Sequence, residues 1–183
     1  MDKLTLDRIK LLHPAVRKEA FELYISANNK LLGKNVRLRF AYTLRTIAEQ
    51  DALYAQGRTR LYDAAGKKLE KVTNARGGES VHNYGLAFDI VLLIDKNNDG
   101  IFETASWDLL LDRDNDGKAD WAEIVNHFKS HGWAWGGDWK KFPDYPHFEK
   151  TFGHKWKSLK TLFMNGQTFT ESIDGKIYTW VKL

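Results

Sequence analysis

The stretch Leu86-Ala87-Phe88-Asp89-Ile90-Val91-Leu92-Leu93-Ile94 constrains this chain more than any other feature. It has the length of a strand and is apolar at every position but one, so it reads as a strand buried in a core. The exception is Asp89. A carboxylate on such a strand needs a partner, and a metal ion is a good one. The chain is 183 residues long, enough for one compact domain with its own core. No apolar run approaches the roughly 20 residues needed to span a bilayer. Cysteine is absent, which excludes disulfides and thiolate ligands. Any transition metal is then left to histidines and carboxylates.

The rest of the pattern is mixed. Thr5 to Leu12 predicts a short helix. Pro14 suits the first turn of a second helix running to about Leu31, with Ala15, Ala20, Phe21, Tyr24 and Ile25 as its buried stripe. Val36 to Leu44 alternates as a strand does. Thr46 and Glu49 fit a helix-starting capping box, and Gly57 ends that helix. Residues 58–79 form a long polar loop with room for a short hairpin. Trp121, Ile124, Val125 and Phe128 lie at helical spacing, with Gly132 as the stop. Pro146 to Thr151 predicts a strand, and residues 167–183 a hairpin turning at Asp174-Gly175. These elements predict an α+β fold: one domain over residues 1–183, with a small, mostly antiparallel sheet flanked by helices and an acidic insertion at 95–123.

His82 precedes Asp89 by seven positions, a spacing that would put them on opposite faces of one straight strand. Gly85 can supply a bend that lets both converge. In Asp144-Tyr145-Pro146-His147-Phe148-Glu149, Pro146 pushes Tyr145 toward extended geometry, and His147 and Glu149 share one face of a strand. Two histidines, a carboxylate and a water make a catalytic zinc site, whose water becomes a usable nucleophile. Asp144 is the candidate base, and Glu149 the candidate to orient a ligand from behind. Taken singly, each histidine is more often structural or at the surface, and His13, His127, His131 and His154 keep that reading. Trp133, Trp135 and Trp139 serve either as a cleft wall or as core.

Ser80-x-His82-x-x-Gly85-x-Ala87-x-Asp89, then Trp135-Gly136-Gly137-Asp138-Trp139 and Asp144-Tyr145-Pro146-His147-Phe148-Glu149, closely resemble the peptidoglycan L-alanyl-D-glutamate endopeptidases of phage endolysins, relatives of the VanY-type D-alanyl-D-alanine carboxypeptidases. The likeness extends to Arg45-Thr46-x-x-Glu49-Gln50-x-x-Leu53-Tyr54-Ala55-Gln56-Gly57-Arg58-Thr59 and spans about residues 36 to 155. The resemblance implies a zinc peptidase with its metal in a cleft. It implies His82, Asp89 and His147 as zinc ligands, Asp144 as catalytic base, and Gln50 and Ser80 near the substrate or its developing oxyanion. Gln50 can donate an amide hydrogen there, and Ser80 can bond a ligand or the substrate backbone. Arg45 can pair with a substrate carboxylate, or with Glu49 at i,i+4. The implied substrate is the stem peptide of peptidoglycan, cut between L-Ala and D-Glu, with removal of a terminal D-Ala as the alternative.

A second pattern lies in the insertion. Asp112, Asp114, Asp116, Gly117, Asp120 and Glu123 occupy positions 1, 3, 5, 6, 9 and 12 of an EF-hand loop, with the backbone carbonyl of Lys118 at position 7. Calcium is expected there. Asp95, Asn97 and Asp99 repeat the first half upstream, with Glu103 at position 9 but Ser106 at position 12, a second and weaker calcium candidate. The plain reading of both is an acidic, turn-rich solvent loop.

The formal net charge of +4 favours polyanions or serves solubility alone. No basic helix or nucleotide loop is present, so nucleic acid is not an expected partner. Met1 to Thr5 lacks a long apolar signal region. The expectation is a monomer made in the cytoplasm, not inserted in a membrane, that reaches the cell wall through a separate membrane-permeabilising protein. A non-catalytic calcium- or wall-binding module is the reading from another class, and Asp144 with two ligand histidines speaks against it.

Overall fold

Asp2 starts the first helix. Its carboxylate accepts the Thr5 N–H at the head of α1 (Lys3–Lys10), while Arg8 and Lys10 occupy the last turn, where the helix dipole favours cations. The computed structural model describes residues 1–183. They divide into two compact units, residues 1–43 with 87–150, and residues 44–86 with 151–183.

The first unit holds α1, α2 (Pro14–Lys30), β1 (Val36–Tyr42), β2 (Ala87–Ile94), β3 (Thr104–Ser106), α4 (Asp120–Ser130), β4 (Ala134–Trp135) and β5 (His147–Glu149). Its sheet runs β1-β2-β5-β4 with every pairing antiparallel, and β3 also pairs with β2. The apolar run is the inner strand, as expected. One flank pairs with β1, while the other is shared between β5 at residues 87–89 and β3 at residues 92–94. Its apolar side chains are buried, and only Asp89 reaches partial exposure.

Phe88 stacks on Phe40 at 4.1 Å and on Phe148 at 5.4 Å, and meets Trp133 at 4.8 Å. Truncating such a ring costs about 3–5 kcal/mol. The β1–β2 ladder shifts register between Phe40 and Tyr42. There α1 meets the Phe40 backbone instead: Thr5 Oγ1 accepts its N–H and Arg8 donates to its carbonyl.

The stripe of α2 differs from the expected one. Val16, Ala20, Leu23, Tyr24 and Ala27 are buried, whereas Ala15 and Phe21 are exposed and Ile25 is half-buried. The buried set follows i, i+4, i+7, i+8 and i+11, one continuous face, and the other apolar residues flank it. The insertion also contributes β3, a strand too short and polar to predict.

The second unit holds α3 (Ile47–Ala55), a single 3-10 turn (Val81–Tyr84), α5 (Trp156–Met164) and the hairpin of β6 (Thr168–Ile173) and β7 (Lys176–Val181). The capping box of α3 is formed: Thr46 Oγ1 accepts the Glu49 N–H and Glu49 accepts the Thr46 N–H. The hairpin turns at Asp174 and Gly175, both at positive φ, as a two-residue turn requires. Within the long polar loop, Tyr62 bridges Lys68 around a turn held by Asp63. Helix α5 is not predicted by the sequence pattern; it buries Leu159 and sets Phe163 against Tyr84. The two units together make an α+β chain, in agreement with the expected class. No helix is long and apolar enough to cross a membrane.

Candidate metal centre

Gly85 makes the bend. The 3-10 turn carrying His82 ends at Gly85, whose φ of 68° lies in the left-handed region, and the chain then enters β2. His82 is buried, and its carbonyl accepts the Arg45 and Gly85 N–H groups. The neighbouring Asn83 fastens the turn. Its side-chain oxygen accepts the Gly78 N–H and its amide donates to the Arg45 carbonyl. Sequence reasoning passed over Asn83, although an amide next to a candidate ligand at the head of a turn was the available signal.

His147 opens β5, opposite Asp89 in β2. It follows a turn in which the His147 N–H bonds the Asp144 carbonyl, while the Pro146 carbonyl accepts the Ile90 N–H. Gly136 is required behind that turn. It accepts the Asp144 N–H, and a Cβ added to it would stand 2.4 Å from the Asp144 carbonyl oxygen and 3.0 Å from the His147 Cβ. Gly136 therefore permits a close backbone approach.

His82, Asp89 and His147 each offer a ligand atom, and these atoms all lie within 4.8 Å of one another. The set is two imidazoles and one carboxylate without sulfur, the donor chemistry of a catalytic zinc site with three protein ligands. His147 Nδ1 lies 3.2 Å from Asp89 Oδ1, and Nε2 lies 3.0 Å from Glu149 Oε2. Burial opposes a charged imidazole, but the hydrogen bonds and charges of Asp89 and Glu149 outweigh it and push His147 up to about 9.

The remaining candidates are spread as follows. Asp144 is half-buried in the turn before His147. Gln50 is fully buried on α3: its oxygen accepts from Arg45 Nη1 at 2.9 Å, and its amide donates to the Ala75 carbonyl and Thr73 Oγ1. Ser80 begins the turn of His82, with its N–H directed at Asn83 Oδ1. The tryptophans separate. Trp133 is core and donates to Glu19, Trp135 donates to the Tyr145 carbonyl, and Trp139 is 38% exposed with its ring 5.1 Å from that of His147. His13 caps α2 through Nδ1, His127 faces the Leu23 carbonyl and is lowered by burial, and His131 and His154 bond locally, all as the structural reading expects. Asp112, Asp114 and Asp116 form a second carboxylate group, and Asp95, Asp99 and Glu103 a third.

Two histidines and an aspartate held this close are the donor set of a metal-dependent hydrolase, and likeness to known proteins narrows that class to the metallopeptidases. The peptidase family M15, described as D-alanyl-D-alanine carboxypeptidase, matches residues 73–150, a span that includes His82, Asp89, Asp144, His147 and Glu149. The chain is 46% identical over 138 residues to the peptidoglycan L-alanyl-D-glutamate endopeptidase CwlK of Bacillus subtilis, covering 75% of this chain and 72% of that protein. This chain belongs to that family of M15 metallopeptidases. Its fold is similar to that of the Serratia marcescens L-Ala D-Glu endopeptidase ChiX, with a TM-score of 0.52 at 20% identity over 83% of this chain and 90% of the other.

Proposed function

We propose that this chain is a zinc-dependent endopeptidase that cuts the L-Ala–D-Glu bond of peptidoglycan stem peptides, with His82, Asp89 and His147 holding the metal. The likeness to CwlK carries the choice of bond, because that relative is named for it and shares 46% of the aligned residues. Bound zinc supplies Lewis acidity, lowering the pKa of a water toward roughly 7 and polarising the scissile carbonyl.

The protein's own groups do the rest. Asp144 is the general base: it takes a proton from the attacking water and returns it to the leaving amine of D-Glu. Its backbone is pinned to Gly136, which limits how far the carboxylate can stray. Glu149 Oε2 lies 3.0 Å from Nε2 of His147, so a proton on Nε2 would be donated there and Nδ1, on the Asp89 side, would be left to hold the metal. Arg45 recognises a substrate carboxylate, and Gln50 holds the guanidinium in place. Ser80 contributes a hydroxyl toward the substrate backbone.

Removal of a terminal D-Ala is the second reading, favoured by the description of the matching family. Mass spectrometry of fragments released from purified peptidoglycan by the zinc-loaded protein separates the two. New N-terminal D-Glu with L-Ala left on the glycan is the expected product. Release of D-Ala alone moves the chain to carboxypeptidase, and no cleavage rejects both.

A further inference from the structure

The first turn of α4 contains carboxylate oxygens that nothing in the protein answers. Asp120 is fully buried; its Oδ2 accepts the Arg113 N–H at 3.3 Å, and its Oδ1 has no hydrogen-bond partner. Glu123 has an 11% exposed side chain, and its Oε2 is likewise buried and unpartnered. Burying charged oxygens in this way is costly unless an opposite charge sits among them.

Both groups face the acidic loop. Burial above all, then the charges of Asp114 and Asp112, push Asp120 up to about 6 against the pull of Arg113. Burial and then Asp116 raise Glu123, with Asp114 and Asp120 adding to them and Lys118 opposing. The Lys118 ammonium, 3.0 Å from Asp116 and 4.0 Å from Glu123, is itself 66% exposed. In the loop, Asp112, Asp114 and Asp116 offer oxygens within 4.8 Å of one another. Asp112 accepts the Asn115 and Gly117 N–H groups, and the Asp120 N–H closes the loop on the Leu111 carbonyl.

We propose that residues 112–123 bind one calcium ion through the carboxylates of Asp112, Asp114, Asp116, Asp120 and Glu123 and the carbonyl of Lys118. An all-oxygen, multiply anionic set at twelve-residue spacing selects a hard cation, and its size and flexibility suit calcium better than magnesium. The ion ties the loop to α4, whose Trp121, Ile124, Val125 and Phe128 are buried in the first unit. Its effect is therefore on the stability of that unit. The 95–103 loop differs. Asp95 accepts the Asp99 and Gly100 N–H groups much as Asp112 accepts its own loop's, but Ser106 enters β3 where a glutamate would be needed.

Calcium alone is titrated calorimetrically into the full chain, freed of divalent ions and resupplied with one equivalent of zinc, while thermal unfolding is followed in parallel. The expected result is one site per chain, with Tm raised by about 5–10 °C at roughly a hundredfold excess over Kd. Asp120→Asn and Glu123→Gln keep the shape and remove buried charge. Each raises the calcium-free Tm and weakens calcium binding at least ~10-fold. Raised calcium-free Tm with no binding heat and no calcium-dependent shift in the wild type overturns the proposal. So does binding that survives both substitutions and disappears in Asp99→Asn, since the ion then belongs to the other loop. Neither readout uses peptidase activity, so failure here leaves the reading of the zinc centre untouched.

Discussion

His147 and Asp120 are both buried and both ionisable, yet the fold treats them in opposite ways. His147 has a carboxylate at each ring nitrogen, Asp89 across the ladder and Glu149 on its own strand. Asp120 has like charges around it and an oxygen without a partner. The difference follows from where the ligands come from. The His–Asp–His group is gathered from separate segments, each braced by its own neighbours: Asn83 behind His82, Gly136 and Glu149 around His147. Such a group can mix charges of both signs. A loop that carries its carboxylates side by side in twelve consecutive residues has only Lys118 and Arg113 to oppose them, and a bound cation would balance the rest.

The largest effects should come from breaking the gathered group. His82→Ala or His147→Ala is expected to abolish zinc content, measured by elemental analysis, together with all release of peptidoglycan fragments. Asp144→Asn separates holding the metal from using it. Zinc content should stay at one per chain while turnover falls by about 10²–10⁴-fold. Full turnover in that variant would remove Asp144 from the chemistry. Glu149→Gln tests the bracing itself. Competition with a chromophoric chelator should show zinc affinity reduced by about 10–100-fold. Unchanged affinity would mean that the imidazole is oriented by its strand alone, and the contrast with the loop would lose its physical basis.

The sequence made these two groups legible to different degrees. The acidic loop is local, so its ligand spacing could be read directly, but spacing says nothing about burial, and the exposure of Asp120 and Glu123 depends on how α4 packs. The converging of His82, Asp89 and His147 was not derivable from spacing: it needs the left-handed bend at Gly85 and the register that sets Asp89 opposite His147. The resemblance to a known family supplied what local pattern could not. Residues that act through backbone approach stayed hidden, Gly136 among them, because the clash that makes glycine necessary is with a residue eight positions later. Strong local signals carried through, such as the Thr46–Glu49 capping box and the Asp174-Gly175 turn. The stripe of α2 did not, since a helix with apolar residues on more than one side leaves the choice of face to the sheet it meets.

The smallest expected effect concerns a carboxylate that is fully answered. Asp2 accepts from Arg39 Nε and Nη2, both at 2.8 Å, and from Thr5 Oγ1 at 2.7 Å. Burial works against its ionisation, but the Arg39 and Thr5 hydrogen bonds and the Arg39 charge outweigh burial and hold its pKa below the ordinary 3.8. The folded protein thus binds this proton less readily than the unfolded chain does. The ion pair's contribution is complete above pH 3.8 and disappears as pH falls through the lower folded value. Asn caps a helix about as well as Asp, so Asp2→Asn isolates the charge from the cap. Near neutral pH the variant should lose about 1 kcal/mol, or roughly 2–4 °C in Tm. That gap should close in acid, where wild-type Asp2 is protonated too. For Asp120 the sign is reversed: without calcium, its raised pKa makes the folded state lose stability as pH climbs from 3.8 through about 6. A constant Asp2→Asn gap down to strong acid would show that Asp2 works through its shape alone, and the opposition between answered and unanswered carboxylates would then rest on Asp120 and Glu123 only.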